Sequence, residues 1–124
     1  MNDIAKRFSK NPLLKPADLK SSTDGLEITC LLNPGVFKFE EKTWLIVRVA
    51  ERPEQKENII SFPVLTDSGK SKIIEINKND PELNATGARV INYKGVDYLT
   101  TLSHLRLLCG DEGISFYETE GYQP

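Results

Sequence analysis

The chain has 124 residues, a formal net charge of −2 and a hydrophobic fraction of 39%. This length suits one domain, and the mildly acidic balance gives no electrostatic reason to bind nucleic acid or a membrane. No apolar run can span a bilayer and no signal peptide is visible, so we expect a cytoplasmic protein, or a periplasmic one if an upstream segment was removed. Cys30, Cys109 and the lone His104 have no metal-ligand spacing, which predicts two buried, reduced thiols and no metal.

The predicted elements are almost all strands. Residues 1–25, with Pro12 and Pro16, read as an extended arm. Beyond the arm, short apolar stretches alternate with turns rich in glycine, aspartate and asparagine, and no stretch shows a helical period. The predicted strands cover 26–32, 36–39, 44–50, 59–65, 72–76, 90–93, 97–107 and 114–117. This pattern predicts an all-β fold, an antiparallel meander, over residues 26–124.

A shift of 54 residues superimposes two parts of the chain. It places Val36 on Val90 and Trp44 on Tyr98 without a gap. Each copy reads as a turn, a short strand, a polar hairpin and a long strand, and repeated β units of about 40–50 residues are typical of propeller blades. We therefore predict a partial β-propeller with blade repeats at about 33–86 and 87–124. Two unrelated hairpins would share the same pattern, so that alternative remains open at this point.

The segment 109–116 carries a second indication of a propeller. Asp111, Gly113, Ser115 and Phe116 fit the Asp-box turn of sialidase-like propellers, and Cys109 stands where that turn has its first serine. Glycine supplies a permissive φ in such a turn, and aspartate can accept backbone N–H groups. The motif is structural, and we assign Asp111 no catalytic role.

Arg48 stands within the nearly continuous apolar run 44–50, which predicts a buried guanidinium. A buried guanidinium keeps its proton and needs a carboxylate, a phosphate or a polar ligand beside it. The pattern allows either a structural arginine paired with a core carboxylate or an arginine that holds a ligand. His104 and Arg106 share one face of a later strand, where a single histidine is more often a hydrogen-bonded core residue than a catalyst.

The stretches 33–37, 44–53 and 98–106, together with the arm segment 11–16, resemble glycoside hydrolase family 130. The resemblance implies a five-bladed β-propeller that acts on β-mannosides at its central axis. It also implies phosphorolysis to mannose 1-phosphate or, in a minority of members, hydrolysis. Inorganic phosphate would be the co-substrate of a phosphorylase, and no cofactor is expected.

The same resemblance implies the site residues. Asn33 and Arg48 match positions that line the sugar site, and Arg52, two alternations further along the strand, is expected as a second contact. His104 and Arg106 are further candidates for substrate binding. A guanidinium fork and an amide suit sugar hydroxyls, which present paired donors and acceptors.

The chain departs from the family pattern in two places. The family has aspartate and proline before the arginine of the stretch 86–89, whereas this chain has Gly87 and Ala88 before Arg89. This loss casts doubt on a role for Arg89. The general acid of the family is an aspartate in a Glu-Asp-(Pro/Cys)-Arg motif, which we expect beyond Pro124, so no catalytic residue is assigned.

These observations predict an N-terminal portion of a β-mannoside phosphorylase or hydrolase that binds a β-mannoside oligosaccharide but is inactive alone. The alternative is a non-catalytic sugar-binding or protein-interaction β module, completed by a partner chain or by self-association through unpaired strand edges. The residues do not distinguish phosphorolysis from hydrolysis, and they do not define the mannosidic linkage or the oligomeric state.

Overall fold

The computed structural model describes residues 4–119, which form nine strands and one short 3-10 helix. The helix spans Pro16–Asp18, and its first turn is closed by the backbone N–H of Lys15, which donates to the Asp18 carboxylate. All described strand pairs are antiparallel, which confirms the predicted all-β antiparallel class. No helix in this part of the chain is long and apolar enough to cross a membrane.

The largest sheet has the order β1-β2-β8-β9. Its strands are β1 (Leu26–Phe39), β2 (Lys42–Pro53), β8 (Leu102–Gly110) and β9 (Tyr117–Glu118). The pairing of β2 with β8 brings together strands from both halves of the chain, so the predicted boundary at 86/87 is not a sheet boundary. The division into two blades stays a prediction.

Two smaller sheets complete the fold. One joins β3 (Ile59–Leu65) to β4 (Ser71–Asn77), and the other has the order β5-β6-β7. The strands of the latter are β5 (Leu83–Asn84), β6 (Val90–Tyr93) and β7 (Val96–Leu99).

The apolar core has two parts. Val47, Val49 and Leu108 form one cluster on a single face of the large sheet, and Leu14 and Leu19 of the arm pack against it. The second cluster joins the two smaller sheets through buried Phe62, Ile76 and Ile91. Burial of side chains of this size contributes roughly 1.5–3 kcal/mol each.

The 54-residue repeat exists as a pair of matching hairpins. In the first hairpin Val36 pairs with Leu45, and in the second Val90 pairs with Leu99, so equivalent residues have equivalent partners. Both hairpins turn through two residues with positive φ, Glu40 and Glu41 in the first and Lys94 and Gly95 in the second. Two positive φ angles are typical of the turn that matches the twist of antiparallel strands.

Several predicted strand bounds are wrong. The predicted strands 26–32 and 36–39 form one strand, β1, whose register shifts between Leu32 and Gly35. The predicted strand 97–107 is broken after Leu99, and its two parts, β7 and β8, lie in different sheets. The predicted strand 114–117 contributes only its last residue to β9. Within this region Gly113 has φ 71°, which is the permissive conformation expected of a glycine there.

The prediction for the cysteines is correct in part. Both are free, and Cys109 is buried, with 1% of its surface exposed. Cys30 is only half-buried, because its strand lies at the edge of the large sheet. Within residues 4–119, no group of three or more histidine, cysteine or carboxylate side chains is placed to hold a metal ion.

Candidate functional site

A cleft of about 520 Å³ lies where the break between β7 and β8 meets the exposed face of β2. Two arginines, Arg48 and Arg89, contribute to its wall from different elements. The other lining residues are Ala50, Leu65, Leu99, Thr100, Thr101, Leu102 and Ser103. The cleft therefore combines two guanidinium groups and three hydroxyl groups with an apolar lining, which suits a ligand with both polar and apolar faces.

Arg48 is exposed, and the prediction that it would be buried is wrong. Successive side chains of a strand point to opposite faces, and Val47 and Val49 take the core side of β2. Arg48 therefore lies on the other face, opposite Leu105 of β8 and Leu32 of β1. Within residues 4–119, no ion pair is found for Arg48, so it is not a structural arginine held by a core carboxylate.

Arg89 is held in place through its backbone. Its carbonyl accepts a hydrogen bond from the backbone N–H of Thr100 at 3.1 Å. The hydroxyl of Thr100 donates to the carbonyl of Ala88 at 3.1 Å, so one threonine fixes two consecutive peptide groups. These bonds fasten the loop that carries Arg89 to the break between β7 and β8.

The other two predicted sugar contacts lie outside the lining of this cleft. Asn33 is exposed, has φ 43° and occupies the bulge of β1 beside Leu32. Asparagine is among the few residues that adopt this conformation readily, which accounts for its place in the bulge. Arg52 is exposed on the same face of β2 as Arg48 and pairs with Glu27 of β1 in the strand register. The structure thus brings Arg48 together with Arg89, which the sequence analysis did not select.

His104 and Arg106 belong to a buried polar network on the opposite face of the sheet. Its centre is Glu51, which has no exposed surface. The carboxylate of Glu51 lies 2.9 Å from Nε2 of His104 and 3.5 Å from a guanidinium nitrogen of Arg106. Arg106 also pairs with Glu118 at 3.1 Å and donates to the carbonyl of Lys20.

The network fastens the N-terminal arm to the sheet. Ser22 donates to Glu51 both from its backbone N–H, at 2.7 Å, and from its hydroxyl. Burial alone would raise the pKa of the Glu51 carboxyl, but the hydrogen bonds from Ser22 and His104 outweigh it and hold that pKa below its ordinary value. Glu51 is therefore ionised at neutral pH, with positive charge beside it.

The sequence analysis predicted a buried arginine at Arg48 and left open whether its partner is a carboxylate or a ligand. The buried arginine is Arg106, and its partners are carboxylates. The signal that identifies the correct one is positional. Glu51 lies on the same face of β2 as Val47 and Val49. Arg106 of β8 pairs with Val47 in the strand register and therefore lies on that same face of the sheet. The structure shows His104 as a hydrogen-bonded core residue, with 14% of its side chain exposed.

Known proteins similar to this chain include a β-1,2-mannobiose phosphorylase of Listeria innocua, although no model of a protein family matches. The chain is 31% identical to that enzyme over 118 residues, which cover 89% of this chain and 33% of the enzyme.

A structure of the β-1,2-mannobiose phosphorylase from Listeria innocua in complex with β-1,2-mannobiose has a similar fold, with a TM-score of 0.72 and 28% identity. The match covers 92% of this chain and 34% of the solved chain, so this chain spans about a third of the length of its relative. Sequence and fold together confirm the resemblance to glycoside hydrolase family 130, for a stretch about one third as long as the phosphorylase.

Proposed function

We propose that the cleft between Arg48 and Arg89 is the sugar-binding part of a β-mannoside phosphorylase or hydrolase. The observation that carries the proposal is the position of Arg48 in a fold similar to that of a mannoside phosphorylase. The fold is similar to that of a phosphorylase in complex with β-1,2-mannobiose, and Arg48, matched to a sugar-site position by motif, lies in a cleft. Guanidinium donors and threonine and serine hydroxyls fit the hydroxyl groups of a pyranose ring.

The described cleft binds and orients a sugar but carries no group to cleave it. Glycosidic cleavage requires a proton donor for the leaving oxygen, which is a carboxylic acid in most such enzymes. None of the residues that line the cleft within the described part of the chain is a carboxylate. Phosphorolysis, with inorganic phosphate as co-substrate, would therefore depend on groups from beyond the described residues or from a second chain.

The stretch before Arg89 also lacks a carboxylate. The stretch 86–89 ends in Arg89, which lines the cleft, and Gly87 and Ala88 stand where the family has aspartate and proline. The φ of Gly87 is not positive, so an aspartate is compatible with the backbone, although its Cβ would lie 3.2 Å from the carbonyl oxygen of Val90.

The experiment is a paired measurement of binding and turnover. The purified chain is titrated with β-1,2-mannobiose by calorimetry and then incubated with the same sugar and inorganic phosphate. We expect binding that Arg48→Ala weakens by about tenfold, and no release of mannose 1-phosphate or mannose. Turnover by the chain alone would refute the claim that it lacks a catalytic acid, and binding unaffected by Arg48→Ala would refute the assignment of the cleft.

A second candidate function, a protein-interaction module, is favoured by the apolar side chains around the cleft. On the sheet face that carries Arg48, Phe37, Ile46 and Leu105 are 41%, 38% and 62% exposed. Phe37 also stacks on the ring of Trp44, with the centroids 6.2 Å apart. Contiguous exposed apolar surface of this kind is typical of interfaces. An absence of mannoside binding together with a monodisperse oligomer would favour this function.

A further inference from the structure

The first residues of β8 form a wall between two cavities. Leu102 and Ser103 line the cleft, and they also line a second cavity of about 470 Å³ between the arm, the tip of the β3–β4 hairpin and β8. A segment that borders two cavities lacks the close packing that fixes the side chains of a core. The position of this wall therefore depends on other contacts.

The backbone of the wall is held by one neighbouring strand. Leu102 pairs with Glu51 of β2, and Ser103 pairs with Ala50, which itself lines the cleft. Within residues 4–119, β9 pairs with β8 only near the C-terminal end of β8. The start of β8 thus has β2 as its strand partner on one side and, in this part of the chain, none on the other.

A buried side-chain contact supplies the second attachment of the wall. Nε2 of His104, which directly follows the wall, lies 2.9 Å from the carboxylate of Glu51. That carboxylate is fully buried and also accepts from the backbone N–H of Ser22 at 2.7 Å. Hydrogen bonds to an ionised group are stronger than those between neutral groups, and burial strengthens them further.

We propose that the ionised carboxylate of Glu51 is a positioning group for the cleft, because through His104 it fixes Leu102 and Ser103. The inference rests on the proposed sugar site and concerns the wall of that site. Glu51 is not among the residues that line the cleft, so it acts through its neighbours. Displacement of the wall should weaken binding, since hydrogen bonds to sugar hydroxyls weaken steeply with poor geometry.

Several charged or titratable groups surround this contact. Arg106 of β8 lies 3.5 Å from Glu51 and also pairs with Glu118 of β9. Lys70 of the β3–β4 hairpin lines the second cavity together with His104. The arm contributes uncharged groups, which are Ser22 and the carbonyl of Lys20, and β1 places Ile28 opposite Glu51.

The positioning role gives sugar binding a dependence on pH that the lining of the cleft does not provide. The charged lining residues are Arg48 and Arg89, which keep their protons at any pH of the experiment. Hydrogen bonds hold the pKa of Glu51 below its ordinary value. The charge of Glu51 is therefore lost, and with it the fixed wall, as the pH falls through that lowered value.

The test measures the affinity for β-1,2-mannobiose by calorimetry at pH 7 and at acidic pH. We expect Glu51→Gln to weaken binding at pH 7 by about five- to tenfold and to remove the pH dependence of the wild type. His104→Gln should weaken binding to a similar extent. The double variant should lose no more than either single variant, because both residues act through one contact.

Leu108→Ala is the matched control, because Leu108 is fully buried in the same sheet but lies at the other end of β8, opposite Leu45. Its truncation destabilises the protein without a change at the wall. If Leu108→Ala weakens binding as much as Glu51→Gln, the loss reflects stability and the inference is wrong. If Glu51→Gln binds the sugar as tightly as the wild type, the inference fails but the proposed sugar site stands.

Amide hydrogen exchange without sugar provides a second measurement. Residues 102–104 should exchange faster in Glu51→Gln than in the wild type, relative to the rest of β8, and Leu108→Ala should not show this local change. Unchanged exchange at the wall in Glu51→Gln would overturn the inference whether or not the sugar binds. Absence of binding by the wild type would overturn the proposed function, and with it the role of the wall in holding a sugar.

Discussion

Glu51 connects the large sheet to the N-terminal arm. Its carboxylate is fully buried and accepts from Ser22, while the positive charge of Arg106 lies 3.5 Å away. Removal of one partner from a buried ion pair typically costs about 3–5 kcal/mol, because the other charge is left without compensation. The measured effect of a substitution here reports the attachment of the arm as well as the packing of β2 against β8.

We predict that Glu51→Gln lowers the free energy of unfolding by about 3 kcal/mol at pH 7. The effect depends on pH. Since folding lowers the pKa of Glu51, the stabilisation by its charge is present above the ordinary carboxyl pKa and is lost as the pH falls through the folded value. Urea unfolding at pH 7 and at acidic pH should show the difference between wild type and variant shrinking with acid.

The control for this prediction is Glu75→Gln. Glu75 pairs with Lys56 at 2.6 Å, but both side chains are about half exposed, so the pair is screened by solvent. Little change in stability is expected for this variant. A Glu75→Gln variant as destabilised as Glu51→Gln would show that burial is not the source of the effect.

Arg48 and Arg52 allow a further test at the scale of single residues. Both were selected from the sequence, yet only Arg48 lines the cleft with Arg89. We predict that Arg48→Ala weakens the binding of mannose 1-phosphate by about tenfold, whereas Arg52→Ala changes it less than twofold. Equal losses in the two variants, measured by calorimetry, would mean that the ligand extends along β2 beyond the described cleft.

A substitution at Gly87 changes the charge beside the cleft without removing an arginine. An aspartate there would add one negative charge two residues before Arg89. We predict that Gly87→Asp lowers the affinity for mannose 1-phosphate by about three- to tenfold and leaves that for mannose within twofold. A Gly87→Asn variant controls for size, because it adds a similar side chain without the charge. The interpretation fails if both variants have the same effect.

Among the elements, the two matching hairpins differ in turn chemistry. The first turn has Glu40 at φ 48° and Glu41 at φ 63°, whereas the second has a glycine, Gly95, at its second position. A non-glycine residue in this conformation costs about 1 kcal/mol or more, since its Cβ approaches the backbone. We predict that Glu41→Gly raises the free energy of unfolding by about 0.5–1 kcal/mol and that Gly95→Ala lowers it. Thermal unfolding of both variants tests whether the turn conformation is the cause.

The elements also show which features could be predicted from the sequence. The bounds of β3 and β6 agree with the prediction, because polar and glycine-containing turns delimit each strand in the sequence. The break between β7 and β8 was missed because Thr100 and Thr101 are β-branched residues within an apolar pattern, and such residues favour strands. Thr100 continues the pairing of the β6–β7 hairpin by bonding to Ala88 and Arg89, whereas β8 pairs with β2 in the large sheet. The exposure of Arg48 was missed because both faces of β2 are apolar around it.

For the whole molecule, the apolar face beside the cleft predicts self-association. Phe37, Ile46 and Leu105 are exposed on one face of the large sheet, and the 14-residue strand β1 forms an edge of this sheet among residues 4–119. We predict that the molar mass measured by light scattering rises with protein concentration and that Leu105→Gln shifts this rise to higher concentrations. Val96→Thr is the control, because Val96 is 51% exposed but belongs to the β6–β7 hairpin. If both variants remain as associated as the wild type, the contact lies elsewhere.

Since the apolar face adjoins the Arg48 cleft, mannose 1-phosphate should oppose association if the contact covers the cleft, and should have no effect if association uses only the edge of β1.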